Sequence, residues 1–413
     1  MNTKKRLILI DGNSMLSSAF FGSVPREYYD KKPGMKEVAL EKMMKTSSGQ
    51  YTNGMLSMTK TLLKLFKKYP SSHIAVAWDV SRQTFRREKF EGYKAHRKDT
   101  ANELGSQFKP MQKLLDVCGI ANFMYEGYEA DDVIGTLAKK FESELPVVVI
   151  TKDQDALQLV SEGTRVWLNT STSKDKIKEY FGEDFDLTNY QVLDNYFEFT
   201  PETIPYFYGG LSPIQIIDLK GLEGDASDNI PGVKGCGATS IYPLLNEFGT
   251  IEAIYEYIEN TPENEAKAFF KDELGIARSP IANLLKKSNE EIANEAVSLL
   301  EKEYNKKLVK EAKDLFKTVE DKAIKEEAKG LNKLEEEEFK TVVMRLAAEL
   351  RSIDSGIVGK ASAFLSKELA TIETNMEQLS DVKLDDMELK LNETAMYEMF
   401  EELEFNSLLK NKK

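Results

Sequence analysis

The chain has 413 residues, 41% hydrophobic and 30% charged, the balance of a folded globular protein rather than a disordered one. A net charge of −13 speaks against a uniformly basic nucleic-acid binder, and two widely spaced cysteines, Cys118 and Cys236, exclude a disulfide framework. The apolar run Leu7 to Ile10 is too short for a secretory signal, and nothing approaches the roughly 20 apolar residues of a membrane span, so a cytoplasmic protein without membrane association is expected.

In chain order, Leu7 to Ile10 reads as a first buried strand that runs straight into Asp11. Met55, Met58, Leu62, Leu63, Leu65 and Phe66 recur at helical spacing within Gly54 to Lys68. Ile74 to Trp78 is a second strand ending in Asp79. A second helix follows Asp132, carrying Val133, Leu137, Ala138 and Phe141. Val147 to Ile150 is a third strand leading into Thr151-Lys152-Asp153-Gln154-Asp155. Strands alternating with helices predict an α/β fold, a mostly parallel sheet flanked by helices. No dinucleotide or phosphate-binding glycine motif follows the first strand. From about Tyr206 glycines and prolines punctuate the chain, and beyond Glu259 it is rich in Lys, Glu, Ala and Leu and reads as long amphipathic helices.

The acids fall where chemistry needs them. In an open parallel sheet the crevice outside the carboxyl ends of the strands binds ligands, and Asp11, Asp79 and the Asp153/Asp155 pair all stand at such ends. Glu129, Asp131 and Asp132 add three more at the start of a helix, where each taken singly could equally be a cap, as Asp153 and Asp155 could be turn residues. Clustered carboxylates repel unless protonated or bridged by cations. Oxygen-only ligands without His or Cys select hard ions such as Mg²⁺ or Mn²⁺. A pair of such ions supports in-line phosphodiester hydrolysis. Against the chain's overall charge, Lys60 to Lys98 carries eleven Lys or Arg and three acids, which reads either as a solvated basic helix face or as the local footprint of an anionic partner.

Ile-Asp-Gly-Asn-Ser at 10–14, Thr-Ser-Ser-Gly-Gln at 46–50, Tyr-Lys-Ala-His-Arg at 93–97, Gly-Tyr-Glu-Ala-Asp-Asp at 127–132, Thr-Lys-Asp-Gln-Asp at 151–155 and Gly-Asp-Ala-Ser-Asp-Asn-Ile-Pro-Gly-Val-Lys-Gly at 224–235 occur in that order. Together they resemble the 5′-nuclease (5′-3′ exonuclease) domain of bacterial DNA polymerase I, in the flap-endonuclease family. The likeness covers roughly 5–258 and 359–410. It implies a PIN-like or resolvase-like catalytic domain over 1–205, with a helical arch at about 80–110. A helix–hairpin–helix and helical C-terminal domain over 206–413 would follow, interrupted by a helical insertion at about 260–355. The implied ligands for two Mg²⁺ or Mn²⁺ ions are Asp11, Asp79, Glu129, Asp131, Asp132, Asp153, Asp155, Asp225 and Asp228.

The resemblance further implies that Lys94 and Arg97 contact the scissile phosphate, that Tyr93 stacks on an unpaired base, and that Arg86 and Arg87 touch the DNA backbone. Gly232, Lys234, Gly235 and Gly237 would form the hairpin that holds a duplex phosphate, with K⁺ on its carbonyls. The implied partners are DNA with 5′ flaps, nicks or 5′ ends and RNA primers in RNA–DNA hybrids, and the implied state is a monomer. Because no polymerase segment follows, a free-standing nuclease is expected. Two departures stand out. Ser18 replaces a usual arginine after the first acid, and Ala238-Thr239-Ser240-Ile241 replaces Glu-Lys-Thr-Ala after the hairpin, which together remove two cations. Insertions are expected near Ser23–Lys45 and Asn189–Pro205 as well. The competing readings are a non-catalytic branched-DNA binder and a PIN-like ribonuclease.

Overall fold

The computed structural model describes residues 4–169, 190–193, 195–353 and 356–410. The chain divides into two compact units: residues 1–217, 227–229 and 370–413 form the first, and 218–226 with 230–369 form the second.

The first unit is built on a sheet. Its elements are β1 (Lys4–Asp11), α1 (Gly12–Phe21), α2 (Met35–Lys42), α3 (Asn53–Lys68), β2 (Ser71–Ala77), α4 (Phe85–Lys89), α5 (Asn102–Val117), β3 (Ala121–Phe123), α6 (Ala130–Phe141), β4 (Val147–Thr151), β5 (Thr164–Asn169), β6 (Gln191–Leu193) and β7 (Tyr196–Phe199). The strand order is β3-β2-β1-β4-β5-β7-β6. The first five strands of that order are parallel, and β7 pairs antiparallel with both β5 and β6.

The three expected strands are β1, β2 and β4, the sheet's centre. Leu7 to Ile10 and Val147 to Ile150 are buried throughout, as continuous apolar runs must be when helices cover both faces. From β1 the chain steps outward to β2 and β3, then returns to lay β4 on β1's other side. The switch point therefore lies between the carboxyl ends of β1 and β4. Register aligns those ends, pairing Asp11 with Ala77 and Ile10 with Ile150. The outer strands β3, β5, β6 and β7 were not expected, because they are short or interrupt their apolar residues with polar ones. β7 and β6 occupy the stretch expected as an insertion near 189–205, of which Asn189 and Asp194 lie outside the described residues.

The core joins distant parts of the chain. Phe20, Met55, Met58, Leu62, Trp78 and Met111 share one cluster with Phe400, Phe405 and Leu408 from the C-terminal segment. Gly12 is fixed by this packing, since a Cβ there would sit 2.6 Å from the Trp78 indole.

The second unit is helical. Residues 292–350 possess a core of their own, with Ile292, Leu308, Phe316, Phe339 and Leu346 all buried in it. The ends of that excursion meet where Asn289 Nδ2 donates to the Ile353 carbonyl at 2.9 Å. Before it comes the glycine turn. Asp225 and Ile230 exchange backbone hydrogen bonds of 3.0 and 2.9 Å. Gly232, at φ +60°, approaches Gly224 so closely that a Cβ would meet its nitrogen at 2.4 Å. Among the described residues no helix is long and apolar enough to cross a membrane.

Candidate metal centre

Backbone and short polar side chains lace the three strand ends together. Asp11 accepts from Ser14 N–H at Oδ1 and from the Thr151 hydroxyl at Oδ2, each at 2.9 Å. Asn13 Oδ1 accepts from Asp79 N–H and Ser14 Oγ from Lys152 N–H, each at 3.0 Å. Thr151 Oγ1 also receives Asp153 N–H at 3.0 Å, and Asp153 Oδ1 receives Asp155 N–H at 2.9 Å. Asp79 Oδ1 caps the start of α6 by accepting from Ala130 N–H at 2.7 Å.

The acids so placed feel one another. Burial, then the charges of Asp79 and Asp153, outweigh two hydrogen bonds and push the Asp11 carboxyl up to about 7. Asp131 is raised well above the usual carboxylate range, first by burial and then by Asp11 and Asp153, with Asp79 adding to them. Asp79, though open to solvent on one side, is also raised, by desolvation first and by Glu129 among its neighbours. Asp131 Oδ1 is buried with no hydrogen-bond partner. An orphaned carboxylate oxygen among mutually repelling acids fits a hard divalent cation, whose charge would offset what now favours protonation. Among the described residues no three such side chains close on one point at metal-ligand spacing, so the acids are electrostatic neighbours without converging on a single centre.

Beside them stands a mixed cluster. Lys94, left-handed at φ +53°, donates its N–H to the Asp228 carbonyl at 2.8 Å. Its Nζ lies 2.8 Å from Glu129 Oε1 and 3.5 Å from Asp228 Oδ2. Burial alone would depress this ammonium, but Glu129, Tyr93 and Asp228 overcome that and hold it well above its ordinary range, so it is charged at any working pH. Arg97, partly exposed, pairs with Asp228 and reaches the Ser227 carbonyl. Asp225 stands in the second unit, where Lys220 Nζ lies 2.7 Å from its Oδ2.

Four placements correct the sequence reading. Asp132 is fully buried and already holds Arg86 in two bonds of 2.7 and 2.8 Å. It also accepts N–H groups from Glu129 and Glu373, so its oxygens are engaged in holding the fold rather than facing an ion. Arg86 is 3% exposed and also donates to the Thr371 carbonyl, which removes it from any DNA surface. Tyr93 is equally buried, its hydroxyl 3.0 Å from Glu129 Oε2, so its ring offers no stacking face. Gly232 is buried with its N–H on Ser366 Oγ at 2.8 Å, leaving exposed Lys234 and Gly235 and half-buried Gly237 as the open part of the hairpin. Arg87 is half-buried on α4. Across the stretch expected as a helical arch, about 80–110, α4 and the start of α5 are helical, and residues 90–101 between them run as turns and irregular chain.

Asn13, Ser14 and Thr151 were missed as positioning residues. Their signal was present, since all three lie inside the motifs that carry Asp11 and Asp153, but only the tertiary fold shows which strand ends they tie together.

Comparison with known proteins agrees with this architecture. The family model described as 5′-3′ exonuclease, N-terminal resolvase-like domain matches residues 6–184, and that described as 5′-3′ exonuclease, C-terminal SAM fold matches 211–395. The 5′-3′ exonuclease of Bacillus subtilis is 34% identical over 265 residues, covering 64% of this chain and 77% of that protein. DNA polymerase I of Bacillus caldotenax is 34% identical over 293 residues, 70% of this chain, but the match spans only 29% of that longer protein. Among solved structures, the T5 5′-exonuclease with zinc bound aligns at TM-score 0.44 and 18% identity, covering 83% of this chain and 99% of that one. Two consecutive family models and a relative covered over most of its length lead to one conclusion: the chain belongs to the 5′-3′ exonuclease family.

Proposed function

We propose that this chain is a metal-dependent nuclease that hydrolyses DNA phosphodiesters at 5′ ends and flap junctions, acting in primer removal and repair. The observation that carries the reading is the Asp11–Asp131 pair. Both carboxyls are driven towards protonation at the sheet's switch point, and one Asp131 oxygen is buried and unpartnered.

Asp11, Asp79, Asp131, Asp153 and Asp155 would hold the ions. Glu129 and Asp228 stand one step back, already bridged by Lys94. Two Mg²⁺ or Mn²⁺ ions supply, when bound, a hydroxide at neutral pH and charge stabilisation of the leaving oxygen. Ser14 and Thr151 keep both Asp11 oxygens oriented, and Asn13 fixes the Asp79 loop. Lys94 carries a permanent cation at the edge of the cluster, where it would offset charge on the scissile phosphate, and exposed Arg97 would draw the backbone towards it. The contacts so assigned are to phosphate, which DNA and RNA share, so 5′-terminal RNA in a hybrid is a further substrate to test. The open hairpin residues Lys234, Gly235 and Gly237 would touch a duplex phosphate, with a monovalent ion such as K⁺ at the turn's carbonyls.

End-labelled 5′-flap DNA, compared with single-stranded RNA of the same sequence and with and without Mg²⁺, tests the reading. Mg²⁺-dependent cuts at the flap junction support it. Preferential RNA cleavage would favour the ribonuclease alternative, and binding without cleavage the non-catalytic one.

A further inference from the structure

The helical excursion over 289–353 has no counterpart in the motifs that carry the family likeness, and its surface is patterned. On the helix Lys306–Phe316, Leu308, Val309, Ala312, Leu315 and Phe316 are buried in the excursion's own core. Away from them, Lys306, Lys310, Lys313 and the capping Lys317 recur at i, i+4, i+7 and i+11, which puts all four on one stripe. Lys306, Lys310 and Lys317 are exposed. Among the described residues Lys306 and Lys310 have no ion-pair partner, while Lys317 holds the neighbouring Asp314 and Lys313 the Asn332 side chain.

The stripe leads towards the glycine hairpin. Three residues beyond Lys317, Glu320 pairs with Lys286 at 2.6 Å and lies within electrostatic reach of the hairpin's Lys234. A Cβ on the hairpin's Gly235 would meet Ser279 Oγ at 3.5 Å and Asn283 Nδ2 at 3.8 Å, on the helix just before Lys286. Hairpin, Lys286 and the end of the lysine helix therefore stand together within the second unit. An 11-residue helix is about 16 Å long, comparable with roughly five base pairs of duplex. The segment just after the hairpin, Ala238-Thr239-Ser240-Ile241, carries no cation of its own.

We propose that the excursion is an added duplex-binding surface, in which Lys306, Lys310 and Lys317 extend the hairpin's grip along the phosphate backbone of double-stranded DNA. The contacts are to phosphate alone, so the surface adds affinity and footprint without sequence preference. This rests on the nuclease reading above. Chain-wide charge does not explain the stripe, because the protein as a whole is acidic.

The test uses the full chain with Lys306→Ala, Lys310→Ala and Lys317→Ala combined, against a control triple, Lys267→Ala, Lys271→Ala and Lys340→Ala, of equal charge change elsewhere in the second unit. Binding to flap DNA with duplex arms of about 20 base pairs is followed through a KCl titration. The stripe variant should bind about tenfold more weakly and lose roughly two to three units of salt slope, while the control triple keeps the wild-type slope. Arms of about six base pairs should abolish the difference between the stripe variant and wild type. An unchanged slope in the stripe variant, or an equal loss in the control triple, overturns the proposal while leaving the nuclease reading intact. Failure of the wild type to bind flap DNA at all overturns both.

Discussion

Arg86 and Asp132 meet in two parallel hydrogen bonds of 2.7 and 2.8 Å, with the arginine 3% exposed and the aspartate fully buried. A planar guanidinium matched to a carboxylate satisfies both charges where water cannot. Asp132 spends its remaining acceptor capacity on the Glu129 and Glu373 N–H groups, so the pair joins the start of α6 to the C-terminal segment. Removing one partner leaves an uncompensated buried charge. Arg86→Ala should therefore destabilise the protein by about 3–5 kcal/mol in denaturant unfolding. A variant of wild-type stability that merely binds DNA less well would return Arg86 to the DNA surface.

The raised acids set a pH dependence. Asp11, at about 7, binds its proton more tightly in the folded state than in the unfolded chain, where a carboxylate titrates near 4. Stability from that proton is present at low pH and is lost as pH rises from the unfolded value through the folded one. Asp131 shifts in the same direction and adds to the trend. Without divalent ions the melting temperature should fall between about pH 4 and 7, and saturating Mg²⁺ should flatten or reverse that slope. Mg²⁺ binding should also release protons near neutrality, visible as buffer-dependent heats in calorimetry. A melting temperature that rises over this window in the metal-free protein would contradict the assignment.

Lys94 separates chemistry from binding. Its ammonium is held at the edge of the acid cluster by Glu129 and Asp228. Lys94→Ala should lower kcat by roughly a hundredfold while changing the Kd for flap DNA less than about threefold. Equal losses in both would make Lys94 a general electrostatic contact.

Gly12 tests how tightly the first acid is packed. A methyl group there would lie 2.6 Å from the Trp78 ring. Gly12→Ala should cost about 1–3 kcal/mol of stability and displace Asp11 beside it, so cleavage should fall by more than unfolding alone explains. A Gly12→Ala variant with wild-type melting and activity would show that Trp78 yields freely.

The central strands were legible because a parallel strand covered on both faces is a continuous apolar run, as in Val147 to Ile150. The acids were legible for a related reason: a strand-end position can be read once the strand is found. What the sequence hid was occupancy. Glu129, Asp131 and Asp132 look alike within one motif, yet Asp132 is consumed by Arg86 and backbone while Asp131 keeps an unpartnered oxygen. Arg86 and Tyr93 sat in a basic stretch that reads as exposed, and only tertiary packing turns both inward. The outer strands β5 to β7 escaped because their polar interruptions, such as Arg165 and Glu198, break the apolar signal.

The role proposed for the Asp11–Asp131 group is to bind the ions that cut DNA. Its most direct test is Mg²⁺-dependent cleavage of an end-labelled 5′ flap by Asp131→Asn beside wild type, with folding checked by melting. The metal-free variant should be at least as stable as wild type, because a neutral amide sits among the acids without having to bind a proton, and its cleavage should fall by at least about a hundredfold. Wild-type cleavage by that variant, or wild-type cleavage that persists in excess chelator, would contradict it.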